Sequence, residues 1–298
     1  MRLVTRGDMD GLTCAVLITS CEDIEDIQLA HPQDITEKRL FISEDDIIAN
    51  LPYQSGCGKW FDHHLLTDAN ARPPEQFDGR YGLAPSAARM VYEYYLGRCP
   101  DIQKYERLLA ETDRLDSAQL ALEDVLDPKD HILLGYTLDP RTGLGAFEDY
   151  FRKLVDWLKT LPIEEILAQP AVQERISKIR ANDQAFREAT LSNSRLDGNV
   201  VFTDFRNVSP IPVGNRFLVY TLFPQSNVSV RVHWGPSKEH VACALGHSIF
   251  NRTCRTAVGE LLARYGGGGH RGAGTCLLPA ATADAQVGEI IAELKKNG

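Results

Sequence analysis

Two aspartates in Gly7-Asp8-Met9-Asp10-Gly11 and the tripeptide Asp62-His63-His64 are the residues best suited to chemistry in this chain. Carboxylates mixed with an imidazole suit an oxygen-preferring divalent cation, manganese first, with magnesium or iron as alternatives. A third element, Gly266-Gly267-Gly268-Gly269-His270-Arg271, can bring backbone amides close to a phosphate or carboxylate, because glycine tolerates conformations a side chain forbids. No Gly-Lys-Ser/Thr follows it, so it is no Walker-type loop. Together the three elements point to metal-assisted attack of water on phosphorus.

For the carboxylates and imidazoles to converge, short strands must end where they begin. Segments around Arg2–Val4, Ile27–Ala30, Ile47–Leu51 and Lys59–Phe61 read as strands, and 12–19, 84–96 and 103–111 read as helices. This alternation predicts an α/β fold with a parallel sheet, whose ligands gather at the carboxyl ends of the strands. Asp8, Asp10, Asn50, Asp62 and His63 fall there. From 147 to about 190 the pattern is helical, and Ser192–Asn199 reads as a polar stretch and turn. Strands are then expected at 200–202, 217–222, 228–234, 241–245 and 274–278, with helices at 257–265 and 283–295. The predicted domains are 1–146, a helical connector at 147–197, and a smaller α/β domain with a mixed sheet at 198–298.

These three motifs, in this order and at this separation, resemble the DHH phosphoesterase superfamily with its DHH-associated C-terminal domain, and the likeness covers most of the chain. Exopolyphosphatase-, oligoribonuclease- and 3′-phosphoadenosine 5′-phosphate phosphatase-like enzymes belong to it, so the resemblance implies a chemistry without naming one substrate. It implies that Asp8, Asp10 and His63 are metal ligands, that Asp113 in Glu111-Thr112-Asp113-Arg114-Leu115-Asp116 is the later carboxylate ligand, and that His64 acts near the transferred phosphate. Asp62 is expected to orient His63, since ligating imidazoles commonly hydrogen-bond an acceptor through their other nitrogen. Arg231 resembles the family's substrate-binding arginine. Gly267, Gly268, Gly269 and His270 join it as expected substrate contacts, and Ser248 and Arg252 can serve either as contacts or as loop and cap residues.

Two positions depart from the pattern. The family usually has a histidine upstream of the paired aspartates, where this chain has Val4 or Arg6, according to register. It also has a bridging aspartate at the end of the preceding strand, where this chain has Asn50, with Glu44 or Asp45 as alternatives in another register. An asparagine carbonyl can coordinate but lacks the charge that holds two dications together. Arg6 is expected to supply positive charge without coordination. One metal per chain follows, manganese or magnesium.

Composition bounds the rest. The 298 residues are 43% hydrophobic, enough for substantial cores in two domains. Seven cysteines include no Cys-x-x-Cys pair, which argues against a structural zinc site and a disulfide framework. No segment has the length and apolarity of a membrane span or the pattern of a secretory signal, so a cytoplasmic protein is expected. Net charge is −9, yet residues 206–298 hold ten Lys and Arg against five Asp and Glu, a net +5 that leaves −14 for residues 1–205. An acidic lobe suits a cation and a basic lobe suits an anionic substrate. The expected protein is a phosphohydrolase that binds a small phosphorylated substrate or short oligonucleotide in a cleft between two domains, with a homodimer left open and no membrane partner. The rival expectation is a nucleotide-binding protein whose catalysis Arg6 and Asn50 have weakened.

Overall fold

Alternation within short apolar runs sets the first sheet. The computed structural model describes residues 1–64, 73–138 and 147–296. In it β1 (Arg2–Thr5), β2 (Asp26–Leu29), β3 (Asp46–Ala49), β4 (Lys59–Asp62) and β5 (Gly79–Tyr81) form an all-parallel sheet in the order β2-β1-β3-β4-β5. Leu3, Ile47 and Phe61 enter one core while their neighbours Val4, Ile48 and Trp60 enter another. Both faces are therefore covered, the usual condition of a parallel sheet. The larger core is filled by α1 (Met9–Cys21), α3 (Ala87–Tyr95) and α4 (Glu106–Asp116). Helix α2 (Pro32–Thr36) contributes Ile35 to the smaller one.

Arg2 and Asp46 tie β1 to β3 at the amino end of this sheet. The Arg2 Nε and Nη2 groups donate to the two Asp46 oxygens at 2.7 and 2.9 Å, and the Ser43 amide donates to Asp46 at 2.7 Å. Burial pushes the Asp46 carboxyl up, but Arg2 and Ser43 outweigh it and hold it below the usual carboxylate range. A group with a depressed folded pKa stabilises above its unfolded value, and loses that contribution as pH falls through the folded one. Asp46→Ala is accordingly expected to lower stability by about 2 kcal/mol at neutral pH. Denaturation midpoints of parent and variant should converge as the pH drops below about 4; a gap that persists there would count against the assignment.

The described residues divide into two compact units, Met1–Leu120 with Pro128–Ser177, and Ala121–Asp127 with Lys178–Gly298. The helices expected to form a connector over 147–197 are shared out between them. Tyr150, Phe151 and Leu154 of α7 (Phe147–Thr160) and Ile163 and Ile166 of α8 (Ile163–Leu167) complete the core of the first unit. Helix α9 (Pro170–Asn193) gives Val172 and Ile176 to the first core, and Phe186 to a cluster with Phe205 and Leu218 in the second unit. The expected boundary at 146 lies outside the described residues. Short helices α5 (Leu122–Leu126) and α6 (Asp130–Tyr136) belong to the second and first units respectively.

The second unit is built on a mixed sheet of six strands, β6 (Ser194–Asp197), β7 (Val200–Asp204), β8 (Val228–Trp234), β9 (His240–His247), β10 (Gly268–His270) and β11 (Ala273–Pro279), in the order β10-β11-β9-β8-β7-β6. Only the β7–β8 pairing is parallel. Helices α11 (Val258–Ala263) and α12 (Ala283–Lys296) cover one face. Two expectations fail here. The polar stretch before Val200 contains a strand, β6, in a hairpin with β7 turned at Gly198. The run 217–222, expected as a strand, contains helix α10 (Leu218–Leu222). Asn215 starts it, accepting from the Phe217 amide through its side chain and from the Leu218 amide through its carbonyl. Leu218 then turns into one apolar cluster and Val219 and Tyr220 into another, so packing on two sides overrides the β-propensity of the run.

Candidate metal centre

The carboxyl ends of β1, β3 and β4 lie side by side in the sheet, and the chemical residues follow each of them. After β1, Asp8 caps α1 and accepts from the Gly11 amide at 2.9 Å. Gly11 is required there, since a Cβ would fall 1.9 Å from the Arg6 carbonyl oxygen. Both aspartates were expected as metal ligands, but α1 begins between them and their side chains turn to different partners. Asp8 turns to Arg6 Nε at 3.0 Å and to Asn50 Nδ2 at 2.9 Å. Asp10, only 1% exposed, turns to the start of α3 and accepts from the Ala87 and Ala88 amides at 2.8 Å each.

Beyond β4, His63 Nδ1 lies 2.9 Å from the Ala84 carbonyl oxygen. A carbonyl can only accept, so Nδ1 carries the proton and Nε2 is the nitrogen left able to bind a cation. His63 Nε2 is 3.2 Å from Asp116 and 3.7 Å from Asp10, and is buried without a hydrogen-bond partner. The expectation that Asp62 orients His63 needs correction. Asp62 Oδ1 lies 2.7 Å from His64 Nδ1 and accepts from the His63 amide, so it fixes His64. His64 is about half exposed, with Nε2 directed away from that anchor.

Asp10, His63 and Asp116 each offer a ligand atom within 4.8 Å of the others. Asp113, expected in this role, is engaged elsewhere: Ser86 Oγ donates to it at 2.6 Å, and Arg89 binds it through Nε at 3.0 Å and through Nη2. One near-turn further along α4, Asp116 reaches His63. Burial raises the Asp10 carboxyl well above its ordinary value, and the Asp116 and Asp8 charges add to this. Burial alone would lower the His63 imidazole, but the Asp116 and Asp10 carboxylates outweigh it and raise it to about 9. Carboxylates crowded together around a half-buried imidazole are in the electrostatic condition that a divalent cation relieves. The donor set fits one such ion: two carboxylates and the His63 imidazole, held through Nδ1 with Nε2 making no hydrogen bond.

Val4 is fully buried with Ile48 and Trp60, so only Arg6 reaches the site. Glu44 and Asp45 precede β3 and lie at the sheet's amino end, whereas Asn50 follows β3. Asn50 is 2% exposed and has a left-handed backbone, φ 57°, which asparagine tolerates better than most residues. Its Oδ1 is the second buried atom here without a partner.

In the second unit, Arg231 lies mid-strand on β8, opposite Thr203 and Ala244. Ser248 is buried, and its Oγ accepts from the Phe250 and Asn251 amides, which gives it the turn role. Arg252 is exposed and donates through Nε to the Ile249 carbonyl. The glycine run is not a free row of amides. Gly266 and Gly267 donate to the Ala263 and Leu262 carbonyls and end α11, while Gly268, Gly269 and His270 pair with β11. A Cβ on Gly269 would fall 2.2 Å from the Ala273 carbonyl oxygen, so close strand approach explains that glycine. His270 is exposed and its Nδ1 accepts from the Gly272 amide.

No protein-family model and no curated protein matches this chain. Among solved structures, it is similar to a pGpG-specific phosphodiesterase, PggH from Vibrio cholerae, at 39% identity and a TM-score of 0.84, over 100% of this chain and 99% of that one. The DHH domain of a protein described as a member of a ribosomal-protein family matches with a TM-score of 0.66 at 14% identity, over 99% of this chain and 86% of that one. The chain belongs to the DHH phosphoesterase superfamily. RecJ from Thermus thermophilus, in complex with Mn2+, shares the fold with a TM-score of 0.59 at 12% identity, over 99% of this chain and 52% of that one.

As a DHH phosphoesterase, the chain is an enzyme whose two sheets follow the expected α/β plan. Among the described residues, no helix is long and apolar enough to cross a membrane, and all seven cysteines are free thiols. What sequence reasoning missed in this DHH site is the scaffolding: the Ala84 carbonyl, the Ala87 and Ala88 amides and Arg89. Asp116 lay within the quoted motif, and a helical count would have set it one near-turn from Asp113 on the same side.

Proposed function

We propose that this DHH phosphoesterase is a metal-dependent phosphodiesterase acting on a short linear dinucleotide of the pGpG type, with one manganese or magnesium ion held by Asp10, His63 and Asp116. The observation that carries the reading is the buried His63 Nε2, without a hydrogen bond and set 3.2 and 3.7 Å from the Asp116 and Asp10 carboxylates, in a chain 39% identical to a pGpG-specific phosphodiesterase along its full length. A bound cation supplies Lewis-acid activation of water and neutralises charge on the phosphate. The chain's own residues do the rest. Ala84 holds His63 in the ligating tautomer, and the α3 amides fix Asp10. Asp62 holds the His64 Nδ1 proton, so His64 Nε2 can give or take a proton at the reacting phosphate oxygen. Within the second unit, Arg231, Arg252 and His270 are the side chains suited to an anionic ligand.

The test is elemental analysis of the purified protein, joined to cleavage assays on pGpG, on longer single-stranded oligonucleotides and on polyphosphate, with added manganese or magnesium. One ion per chain and preferred cleavage of pGpG are expected. Metal uptake with no cleavage of any of these would favour the binding-protein reading. Arg231→Ala is expected to weaken dinucleotide binding about 10- to 100-fold, the range of a charge-assisted hydrogen bond, with manganese uptake unchanged. Unaltered nucleotide affinity in a folded variant would remove Arg231 from the site.

A further inference from the structure

We propose that Asp8 is not a metal ligand but the clamp of a phosphate-binding guanidinium, so that Arg6 serves as the second fixed positive charge of a one-metal site. This rests on the reading of the chain as a metal-dependent phosphodiesterase. The donors around Asp8 carry the argument. Its Oδ1 accepts from the Gly11 amide and from Asn50 Nδ2, both at 2.9 Å, and its Oδ2 faces Arg6 Nε at 3.0 Å. Three donors converge on one carboxylate, and a cation drawn to Oδ2 would meet the guanidinium already there. Asp8 is accordingly absent from the cluster of ligand atoms formed by Asp10, His63 and Asp116.

Asn50 fits the same arrangement. At 2.9 Å from Asp8, an aspartate would set two carboxylates against each other, a contact that needs a cation or a proton between them. The asparagine amide makes that contact favourable without either. Its donation also fixes the orientation of the side chain and leaves Oδ1 buried and unpartnered, an acceptor kept for a ligand hydroxyl or water. Arg6 is held through Nε, and its side chain is 40% exposed, which leaves the terminal end of the guanidinium within reach of a ligand. A planar fork anchored at one corner is suited to receive phosphate oxygens at the other two. Asp8 caps α1 and Asp10 lies in the first turn of that helix, so the guanidinium held by Asp8 stands beside the metal cluster and not remote from it.

Two measurements on the full-length protein test this. Asp8→Asn preserves the helix cap, because asparagine caps as well as aspartate. In calorimetric titration of chelator-treated protein, the parent and Asp8→Asn should each take up one manganese with affinities within about 3-fold. Loss of uptake in Asp8→Asn, or two ions in the parent falling to one in the variant, would overturn the proposal. In the manganese-loaded proteins, inorganic phosphate should bind about 10- to 100-fold more weakly to Arg6→Gln than to the parent, with Arg6→Lys and Asp8→Asn between them. Equal phosphate affinity in Arg6→Gln and parent would equally overturn it. A parent that takes up manganese and phosphate but leaves pGpG uncleaved sinks the substrate reading alone, since neither comparison depends on turnover.

Discussion

Asp10→Asn is expected to take up no manganese at concentrations that saturate the parent, and to lose more than about 100-fold in turnover, beyond the roughly 10- to 100-fold contributed by partners of ligating groups. Asp10 is the most buried of the three clustered groups, and its carboxylate lies 3.7 Å from His63 Nε2. Removing that charge leaves one carboxylate and one imidazole, too little for a cation that prefers anionic oxygen. A second effect accompanies it. The two α3 amides each use one Asp10 oxygen, and an asparagine can accept only one of them, leaving a buried donor unsatisfied at about 1–3 kcal/mol. His63→Gln separates the two effects, since it leaves both amide bonds in place. It should lose metal uptake with a smaller change in melting temperature. Normal manganese uptake by folded Asp10→Asn would refute the assignment of this centre.

His64→Ala should lower kcat by about 10²- to 10⁴-fold, the range of a positioned general acid or base, while manganese uptake stays at the parent level. The separation is expected because His64 is about half exposed, is tied to Asp62, and stands outside the clustered ligands. Asp62→Asn should act in the same direction, since it loosens the same ring. If His64→Ala loses metal instead of turnover, the roles given to the two adjacent histidines must be exchanged.

The strands and most helices were legible because both faces of the first sheet are buried, which writes unbroken apolar runs at Leu3-Val4, Ile47-Ile48 and Trp60-Phe61. Residue types at the ends of those strands then located the site. The exchange of Asp113 for Asp116 was not legible, because it depends on Ser86 and Arg89, which lie 27 and 24 residues before Asp113. The redirection of Asp62 from His63 to His64 turns on the path of the main chain at Ala84, which no side chain signals. In the second unit, Phe217–Leu222 carries strand-forming residues, and only the clusters on its two sides make it a helix. The glycine run was expected to admit an anion, and the pairing of Gly268, Gly269 and His270 with β11 was not legible in it.

Asp10 meets the first turn of α3 through main-chain amides, and Asp113 and Ser86 steady the same turn. Occupancy of the centre can therefore be read from the backbone. A cation that immobilises the Asp10 carboxylate also suppresses the local openings that let the Ala87 and Ala88 amide protons reach solvent. Their deuterium uptake should slow on addition of manganese while amides at the far end of that helix, near Tyr95, exchange as before. Those two protons would serve as an internal gauge of metal loading in the intact protein, with no substrate or attached probe.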